Sequence, residues 1–201
     1  MAYIGMKFPV WAPIESYTPG QAVVYGEGIV LGKAIGSDVT LQRATASLYA
    51  DDEKAESDNS VTGGTISLEV DDMEMETAQK AFGLYVRTVN EKKIYSTTGD
   101  ASPYGGCGWF RTRKKNGVLS YLVQWVHRCQ LGMNTKTGAT KGEQLTYQTT
   151  TMQGDVMGAQ VDESMKTLYV DEIPVATEAE AYALLRELAH IPTPEQGASE
   201  Q

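Results

Sequence analysis

The sequence contains few of the residues on which metal sites and disulfide frameworks depend. Its 201 residues include only two cysteines, Cys107 and Cys129, and two histidines, His127 and His190. Two cysteines are too few for a disulfide framework. His127 and Cys129 are two residues apart and would share one face of a strand, but no CxxC or HxxxH accompanies them. We therefore expect a half-buried histidine and a core thiol, with a zinc or thiolate site as the alternative, and we expect no cofactor.

Long apolar runs and export signals are also missing. No window approaches the ~18 apolar residues of a transmembrane helix, and residues 1–20 contain no basic segment followed by an apolar core. We therefore expect no membrane partner and no signal peptide. The low cysteine count is typical of folding in a reducing cytoplasm.

Motifs for catalysis are missing as well. The sequence contains no P-loop, GxSxG, HExxH or dinucleotide-binding fingerprint. The run Gly105-Gly106-Cys107-Gly108 lies in a strand-like segment, so its glycines are expected to make room for Trp125 rather than to hold phosphate. The acidic pairs Asp51-Asp52 and Asp71-Asp72 are expected to solvate a loop and to begin a helix. The sequence therefore predicts that the protein is not an enzyme.

Charge, by contrast, is present but unevenly distributed. Residues 101–150 carry seven basic residues and one acid, a net +6, whereas the remainder carries ten basic and twenty-five acidic residues, a net −15. This polarity favours self-association between copies of the chain. Two other interpretations of the cluster at Arg111, Arg113, Lys114 and Lys115 stay open: a local anion or nucleic-acid patch, and a solvated hairpin tip. The overall charge of −9 argues against a nucleic-acid binder that works by net charge.

The hydrophobic pattern predicts a mainly β fold. Residues 61–70 alternate clearly, with Ile66, Leu68 and Val70 on one face. Shorter strand-like runs occur at residues 23–25, 29–31 and 39–49, and a final strand is predicted at 142–153. Residues 51–60 are acidic and without periodicity, which predicts a long loop of the kind that often carries binding function.

The strongest local signal is Asn116-Gly117, which predicts a type I′ β-hairpin. Its register places Phe110 opposite Val123, so that Phe110, Tyr121, Val123 and Trp125 share a face, which is predicted to be the core. The opposite face, with Trp109, is mixed and is expected to be wet or an interface. The same register puts Cys107 and Cys129 on opposite faces, which disfavours a disulfide between them.

Two helices are predicted. Residues 71–83 have an acidic start and a C-terminal Gly83, with Met75, Ala78 and Phe82 at the spacing that packs on a sheet. Residues 177–190 begin with a capping box formed by Thr177 and Glu180. The proline-containing stretch 191–201 is expected to be a disordered tail.

Several blocks, taken in order, resemble the major tail tube proteins of long-tailed (siphovirus-type) bacteriophages. The resemblance rests on the order of the blocks over residues 3–155 rather than on any single block. The blocks are Leu48–Asp52, Gly63–Met73, Tyr104–Arg111 with Lys115-Asn116-Gly117, Tyr121–Trp125, Thr140–Glu143 and Tyr147–Thr149.

The resemblance implies a tail-tube-type β-sandwich or barrel over residues 1–155 with one flanking helix, followed by a C-terminal extension over 156–190. It implies a structural virion protein, made and assembled in the host bacterial cytoplasm. Hexameric rings would stack into a hollow tail tube through which genomic DNA passes without specific binding. The implied partners are other copies of the chain, the tape measure protein and the tail terminator and initiator proteins.

Within this picture two segments are predicted to join subunits. The first is a ring-stacking loop, bracketed by the apolar Leu48-Tyr49 and by Gly63-Gly64, with the residues Leu48, Tyr49, Asp51, Asp52, Glu53, Glu56 and Asp58. The second is the basic hairpin that carries Arg111, Arg113, Lys114 and Lys115. Two alternatives remain: a tube protein of a type VI-like secretion apparatus, and a carbohydrate-binding β-sandwich that uses Trp109 as a platform.

Overall fold

A computed structural model describes residues 2–50, 53–133, 149–162, 164 and 166–192. The mainly β fold with a flanking helix that the sequence predicts is confirmed. The described strands and helices are β1 (Ala2–Ser16), β2 (Val24–Tyr25), β3 (Ile29–Val30), β4 (Ala34–Arg43), β5 (Ala46–Ala50), β6 (Glu53–Asp58), β7 (Val61–Val70), α1 (Met75–Phe82), β8 (Tyr85–Val89), β9 (Lys92–Ser96), β10 (Tyr104–Lys115), β11 (Val118–Gly132), β12 (Thr150–Met157), β13 (Val170–Val175) and α2 (Glu178–Leu188).

Nine of these strands form one antiparallel sheet in the order β2-β1-β10-β11-β12-β7-β4, with β3 beside β1 and β13 beside β11. The long strand β11 has two neighbours on one edge, because Tyr121–Val126 pairs with β13 and Arg128–Gly132 pairs with β12. Two further pairs, β5 with β6 and β8 with β9, are separate two-stranded hairpins.

The large sheet folds over on itself around one core. Trp11 on β1 and Ile66 on β7 belong to the same buried cluster although three strands separate them in the sheet order. Arg111 on β10 donates from Nη2 to Oγ of Ser37 on β4 at 3.0 Å, which bridges the same two halves. The first core therefore lies between the β1–β10–β11 and β12–β7–β4 halves of the sheet, with α1 packed against it.

A second core lies on the other face of the sheet, beneath α2. It contains Phe110, Val123 and Trp125 together with Ala181 and Leu185 of the helix. The predicted capping box is confirmed, because the Thr177 side chain accepts from the Glu180 backbone N–H and the Glu180 side chain accepts from the Thr177 backbone. The C-terminal strand and helix thus belong to the same packed structure as the rest of the sheet.

The Asn116-Gly117 hairpin has the predicted register and core face. Phe110 lies opposite Val123, and Asn116 and Gly117 have φ angles of 51° and 82°, as a type I′ turn requires. Glycine is needed farther along β10, because a Cβ at Gly108 would lie 2.5 Å from Cε3 of Trp125 and one at Gly106 would lie 2.6 Å from its Cζ2. The prediction that these glycines make room for Trp125 is confirmed.

The predicted orientation of the two cysteines is wrong, because a β-bulge interrupts the register. Cys107 pairs with Val126 but Gly105 pairs with Cys129, so that His127 and Arg128 oppose the single residue Gly106. This shift turns both thiols into the first core, where they are free cysteines. Burial, and secondarily a hydrogen bond with Cys129, raises the pKa of the Cys107 thiol well above its usual range.

The expectation that the Trp109 face is wet or an interface is also wrong. Trp109 is fully buried in the first core, and its indole N–H donates to Oε1 of Gln124 at 3.0 Å. The amide of Gln124 in turn donates from Nε2 to Oε1 of Glu172 at 2.9 Å. The folding of the sheet on itself covers this face, which the alternation within one hairpin does not reveal.

Several element boundaries differ from the prediction. Helix α1 ends at the predicted Gly83, which has a φ of 68°, but Met75 at its start is exposed rather than packed on the sheet. Strand β12 is described from Thr150, and residues 142–148 of the strand predicted at 142–153 lie outside the described residues. Most of the predicted tail, residues 193–201, also lies outside them. The sequence does not predict strands β1, β6, β8, β9 and β13.

Candidate assembly surfaces

The predicted ring-stacking loop contains a β-hairpin. Ala46–Ala50 pairs with Glu53–Asp58, whereas the sequence predicts an irregular loop over 51–60. Leu48 and Tyr49 lie on β5, and Glu53, Glu56 and Asp58 lie on β6. Asp51 and Asp52 fall outside the described residues. Within the described chain these two strands pair only with each other, so the hairpin is not part of the large sheet.

The predicted basic hairpin has its two arginines partly buried. The Arg111 guanidinium bonds to Ser37 and lies 5.8 Å from the ring centroid of Tyr3. Arg113 is half-buried, and its Nε is buried without a hydrogen-bond partner among the described residues. Lys114 is exposed, and Lys115 pairs with Val118 at the turn. The arginines therefore face the folded sheet, whereas Lys114 near the turn is exposed.

The outer face of the β12–β7–β4 half of the sheet is polar, and Asp38, Thr65, Gln153 and Asp155 on it are exposed. Cross-strand rows on this face group Asp38, Ser67 and Gln153, and then Thr65, Asp155 and Gln130. The residues 101–102 form one wall, since Gln130 donates from Nε2 to the Ser102 carbonyl at 2.6 Å. The result is a groove of about 650 Å³, and among the described residues that line it Asp38 and Asp155 are the only charged ones.

The second free-standing hairpin, β8–β9, has no counterpart among the predicted elements. Asn90 and Glu91 connect its strands with φ angles of 49° and 62°. Tyr95 donates from its hydroxyl to Oε1 of Glu76 on α1 at 2.8 Å, and Lys93 Nζ lies 3.5 Å from the same oxygen. The hydrogen bond from Tyr95 is the main cause that lowers the pKa of Glu76. One side of this hairpin is thus attached to α1.

The predicted His127–Cys129 neighbourhood separates into two environments. Cys129 donates from Sγ to the Gly105 carbonyl at 3.3 Å, inside the first core. The side chain of His127 is buried and its Nε2 lies 3.0 Å from Oδ2 of Asp171 on β13. Among the described residues no group of three or more histidine, cysteine, aspartate or glutamate side chains could hold a metal ion.

A carbohydrate platform at Trp109 is incompatible with the structure, because that side chain is fully buried, as are Trp11 and Trp125. Neither helix of the described chain is long and apolar enough to cross a membrane. The described chain still offers the polar groove as an open surface, and its two separate hairpins lie outside the large sheet.

Comparison with known proteins adds no assignment to this geometry. A scan against protein-family models and a search of curated proteins both found no match to this chain.

Proposed function

We propose that this chain is a structural protein of a long-tailed bacteriophage virion, whose copies form hexameric rings that stack into the hollow tail tube. The observation that carries the proposal is the pair of hairpins, β5–β6 and β8–β9, that lie outside the large sheet. A two-stranded hairpin is marginally stable alone in water. Its unpaired edges and open faces are liabilities in a monomer and become contacts when another copy covers them.

The order of the sequence blocks supports the specific identity within this class. The blocks within the described residues fall on β5, β7, β10 and β11, whereas Thr140–Glu143 and most of Tyr147–Thr149 lie outside those residues. The genome would pass through the tube, and the tape measure, terminator and initiator proteins would be further partners. Each ring contact would bury on the order of 2,000 Å² or more, as obligate interfaces do.

The polar face of the β12–β7–β4 half is suited to line the bore of such a tube. Its central cross-strand rows carry Asp38, Glu69 and Asp155 and no lysine, arginine or histidine. Carboxylates repel the DNA backbone, so DNA would pass without the counterion release that drives tight binding. A bore lined instead by Arg111–Lys115 would contradict this arrangement and would favour direct DNA contact.

Electron microscopy of the purified protein tests the proposal. We expect rings or hollow tubes, with the polar face toward the bore in a reconstruction. A species that stays monomeric by light scattering at high concentration, in several salts, would contradict it. Because tubes can require an initiator for nucleation, the test includes preformed tube fragments as seeds.

A further inference from the structure

One face of the β8–β9 hairpin is exposed and basic. Cross-strand pairing places Tyr85, Arg87 and Val89 on the same face as Ile94 and Lys92, and we name this set the basic arm face. Tyr85 is 59% exposed and Val89 is 46% exposed. Arg87 and Lys92 are exposed, and neither has an ion-pair partner among the described residues. The face therefore combines exposed apolar area with two unpaired positive charges.

The opposite face of the same hairpin is attached to α1. Tyr95 and Lys93 lie on that face, and both contact Glu76 on the helix. The basic arm face consequently points away from α1, and the fold holds it in place as a surface.

A groove with the complementary character lies where the C-terminal part of α2 meets the β1–β2 hairpin. The Gly28 backbone N–H donates to the Ala189 carbonyl at 2.8 Å, which joins its two walls. The groove has a volume of about 600 Å³, within the range of about 300–1,000 Å³ of pockets that take small ligands. We name it the α2 groove. Its described lining residues include three glutamates, Glu15, Glu27 and Glu187, and three apolar or aromatic side chains, Tyr25, Ala183 and Ile191.

The three glutamates of the α2 groove are available to a partner. Glu15, Glu27 and Glu187 are exposed, and none of their carboxylates has a hydrogen-bond or ion-pair partner among the described residues. The Glu15 side chain lies against Gly26, since a Cβ at Gly26 would be 2.7 Å from Oε1 of Glu15. The groove thus offers three unpaired negative charges at its walls.

The one arginine that lines the α2 groove is already engaged. Arg186 donates from Nη1 to the Pro192 carbonyl at 3.0 Å, and its guanidinium lies 5.1 Å from the ring centroid of Phe8. His190 is the other basic residue among the described lining residues. With the histidine neutral, carboxylates outnumber the guanidinium and the groove is acidic.

We infer that the basic arm face of one copy docks in the α2 groove of a second copy. Tyr85 and Val89 would be buried against the apolar lining of the groove, at about 25 cal/mol per Å² of apolar area. Arg87 and Lys92 would pair with the groove glutamates, and these pairs would fix the register more than the affinity. The inference rests on the proposed function, since it names a contact between neighbouring copies.

The α2 groove fits the arm better than the polar groove that contains Asp38 and Asp155. Among its described lining residues the polar groove offers two carboxylates, and most of its other side chains are hydroxyls and amides. It therefore gives little apolar area to the exposed apolar residues of the arm. It also belongs to the face proposed to line the bore, where a docked arm would obstruct the passage.

The two docking surfaces lie on different parts of the chain, so the contact is heterologous. A heterologous contact leaves one free surface of each kind on a pair of copies, and growth either closes into a ring or continues as a filament. The contact therefore predicts ring-closed or open-ended assembly and not a symmetric dimer.

A charge-swap experiment tests the docking. The arm variant carries Arg87→Glu and Lys92→Glu, and the groove variant carries Glu27→Lys and Glu187→Lys. Each variant alone gives the two surfaces the same sign of charge, and we expect self-association weakened on the order of 100-fold or more. In an equimolar mixture, alternating copies restore opposite charges at every contact, so association should return. Sedimentation velocity measures the association.

Folding of the variants is checked by circular dichroism. All four substituted side chains are exposed, so the monomer should keep its fold. If a double variant is unfolded, the single substitutions Arg87→Glu and Glu187→Lys give the same comparison.

The matched control carries Lys114→Glu and Lys166→Glu, which makes the same change of charge at two exposed lysines away from both surfaces. It should associate as the wild type does. If both charge-swap variants associate like the wild type, or if their mixture does not recover, the docking is wrong. The docking is also wrong if the control loses association and the swap variants do not.

A third variant, with Asp38→Lys and Asp155→Lys, tests the competing groove. Mixed with the arm variant, it should not restore association. If it does so and the groove variant does not, the arm docks in the polar groove and the inference is overturned.

Electron microscopy of the same samples separates this inference from the proposed function. Hollow tubes in the charge-swap variants would overturn the docking and leave the tube. Swap-dependent oligomers without hollow tubes in the wild type would support the docking and overturn the tube. A wild-type protein that never associates, even with seeds, would overturn both.

Discussion

The β10–β11 hairpin and the two outlying hairpins use the same antiparallel pairing but differ in what covers them. One face of β10–β11 packs Phe110 and Trp125 beneath α2, and the other packs Trp109 and Val126 in the first core. The β8–β9 hairpin has one face on α1 and one in solvent, and β5–β6 is outside the large sheet. Burial of a large side chain contributes about 1.5–3 kcal/mol, so covered faces, more than pairing, stabilise a hairpin. In the proposed tube, a second copy would supply the cover that the outlying pairs lack.

The largest loss of stability is expected when a side chain is added to the β10–β11 hairpin at a position with no space for it. In the Gly108→Ala variant the new Cβ would lie 2.5 Å from Cε3 of Trp125 and 2.9 Å from the Gln124 carbonyl oxygen. Because the Trp125 ring and the Gln124 backbone cannot both move away from the new methyl group, the free energy of unfolding should fall by about 3 kcal/mol. Urea denaturation measures it.

Gly5→Ala is the matched control on β1, because a Cβ there meets nothing within 4 Å. It should change the free energy of unfolding by less than about 1 kcal/mol. Equal losses in free energy of unfolding in the two variants would show that the lack of space around Trp125 is not the cause of the destabilisation.

A smaller loss is expected from removing the partner of the buried indole. Gln124→Met leaves the Trp109 N–H without an acceptor, which should cost about 2 kcal/mol. Thermal unfolding followed by tryptophan fluorescence measures it. Glu172→Gln is the control, because its side chain still offers an acceptor to the Gln124 amide. Its free energy of unfolding should lie within about 0.5 kcal/mol of the wild type. A loss as large as that of Gln124→Met would show that the cost arises at the Gln124–Glu172 contact and not at Trp109.

Deletion of one strand of an outlying hairpin, β6, should affect the monomer still less. In a variant without residues 52–60, rejoined by a short Gly-Ser turn, we expect the free energy of unfolding of the monomer to change by less than about 1 kcal/mol. Long tubes should be lost because the stacking contact is gone, although rings can persist. Electron microscopy gives the tube length, and tubes of normal length would place stacking elsewhere, with the region 156–201 as the next candidate.

The smallest effect concerns the attachment of β8–β9 to α1. Because the Tyr95 hydroxyl stabilises the charged form of Glu76, the pKa of this carboxyl lies below its usual value. Because the pKa is lower in the folded state, the charged carboxyl stabilises the attachment at pH values above the pKa of the unfolded chain. This contribution is lost as the pH falls through the pKa of the folded state. An NMR titration of the wild type and of Tyr95→Phe measures it. The pKa should rise toward the ordinary value in the variant; an unchanged pKa would show that the hydrogen bond is not formed.

The sequence predicts the fold best where the signal is local. The Asn116-Gly117 turn needs only two residues with positive φ, and its register follows for as long as the strands stay regular. The register fails at the bulge, where His127 and Arg128 oppose Gly106. No short-range pattern signals that extra residue, so the orientation of Cys129 could not be predicted.

The burial of Trp109 by distant strands could not be predicted from the sequence either. Trp109 alternates with core residues as an exposed side chain would, and only the folding of the sheet over it buries it. A usable signal was present, because its cross-strand partner Gln124 carries an amide oxygen that suits an indole donor. The β8–β9 turn was missed because Asn90 is followed by Glu91, where glycine gives the strong signal.

Amide hydrogen exchange, compared between dilute monomer and assembled protein, tests the central claim most directly. The amides of β10 and β11 should be protected in both states, because both of their faces are covered. Those of residues 46–58 and 85–96 should exchange rapidly in the monomer and become protected at least about 10-fold on assembly. Protection of the two outlying hairpins that is the same in monomer and assembly would contradict the account.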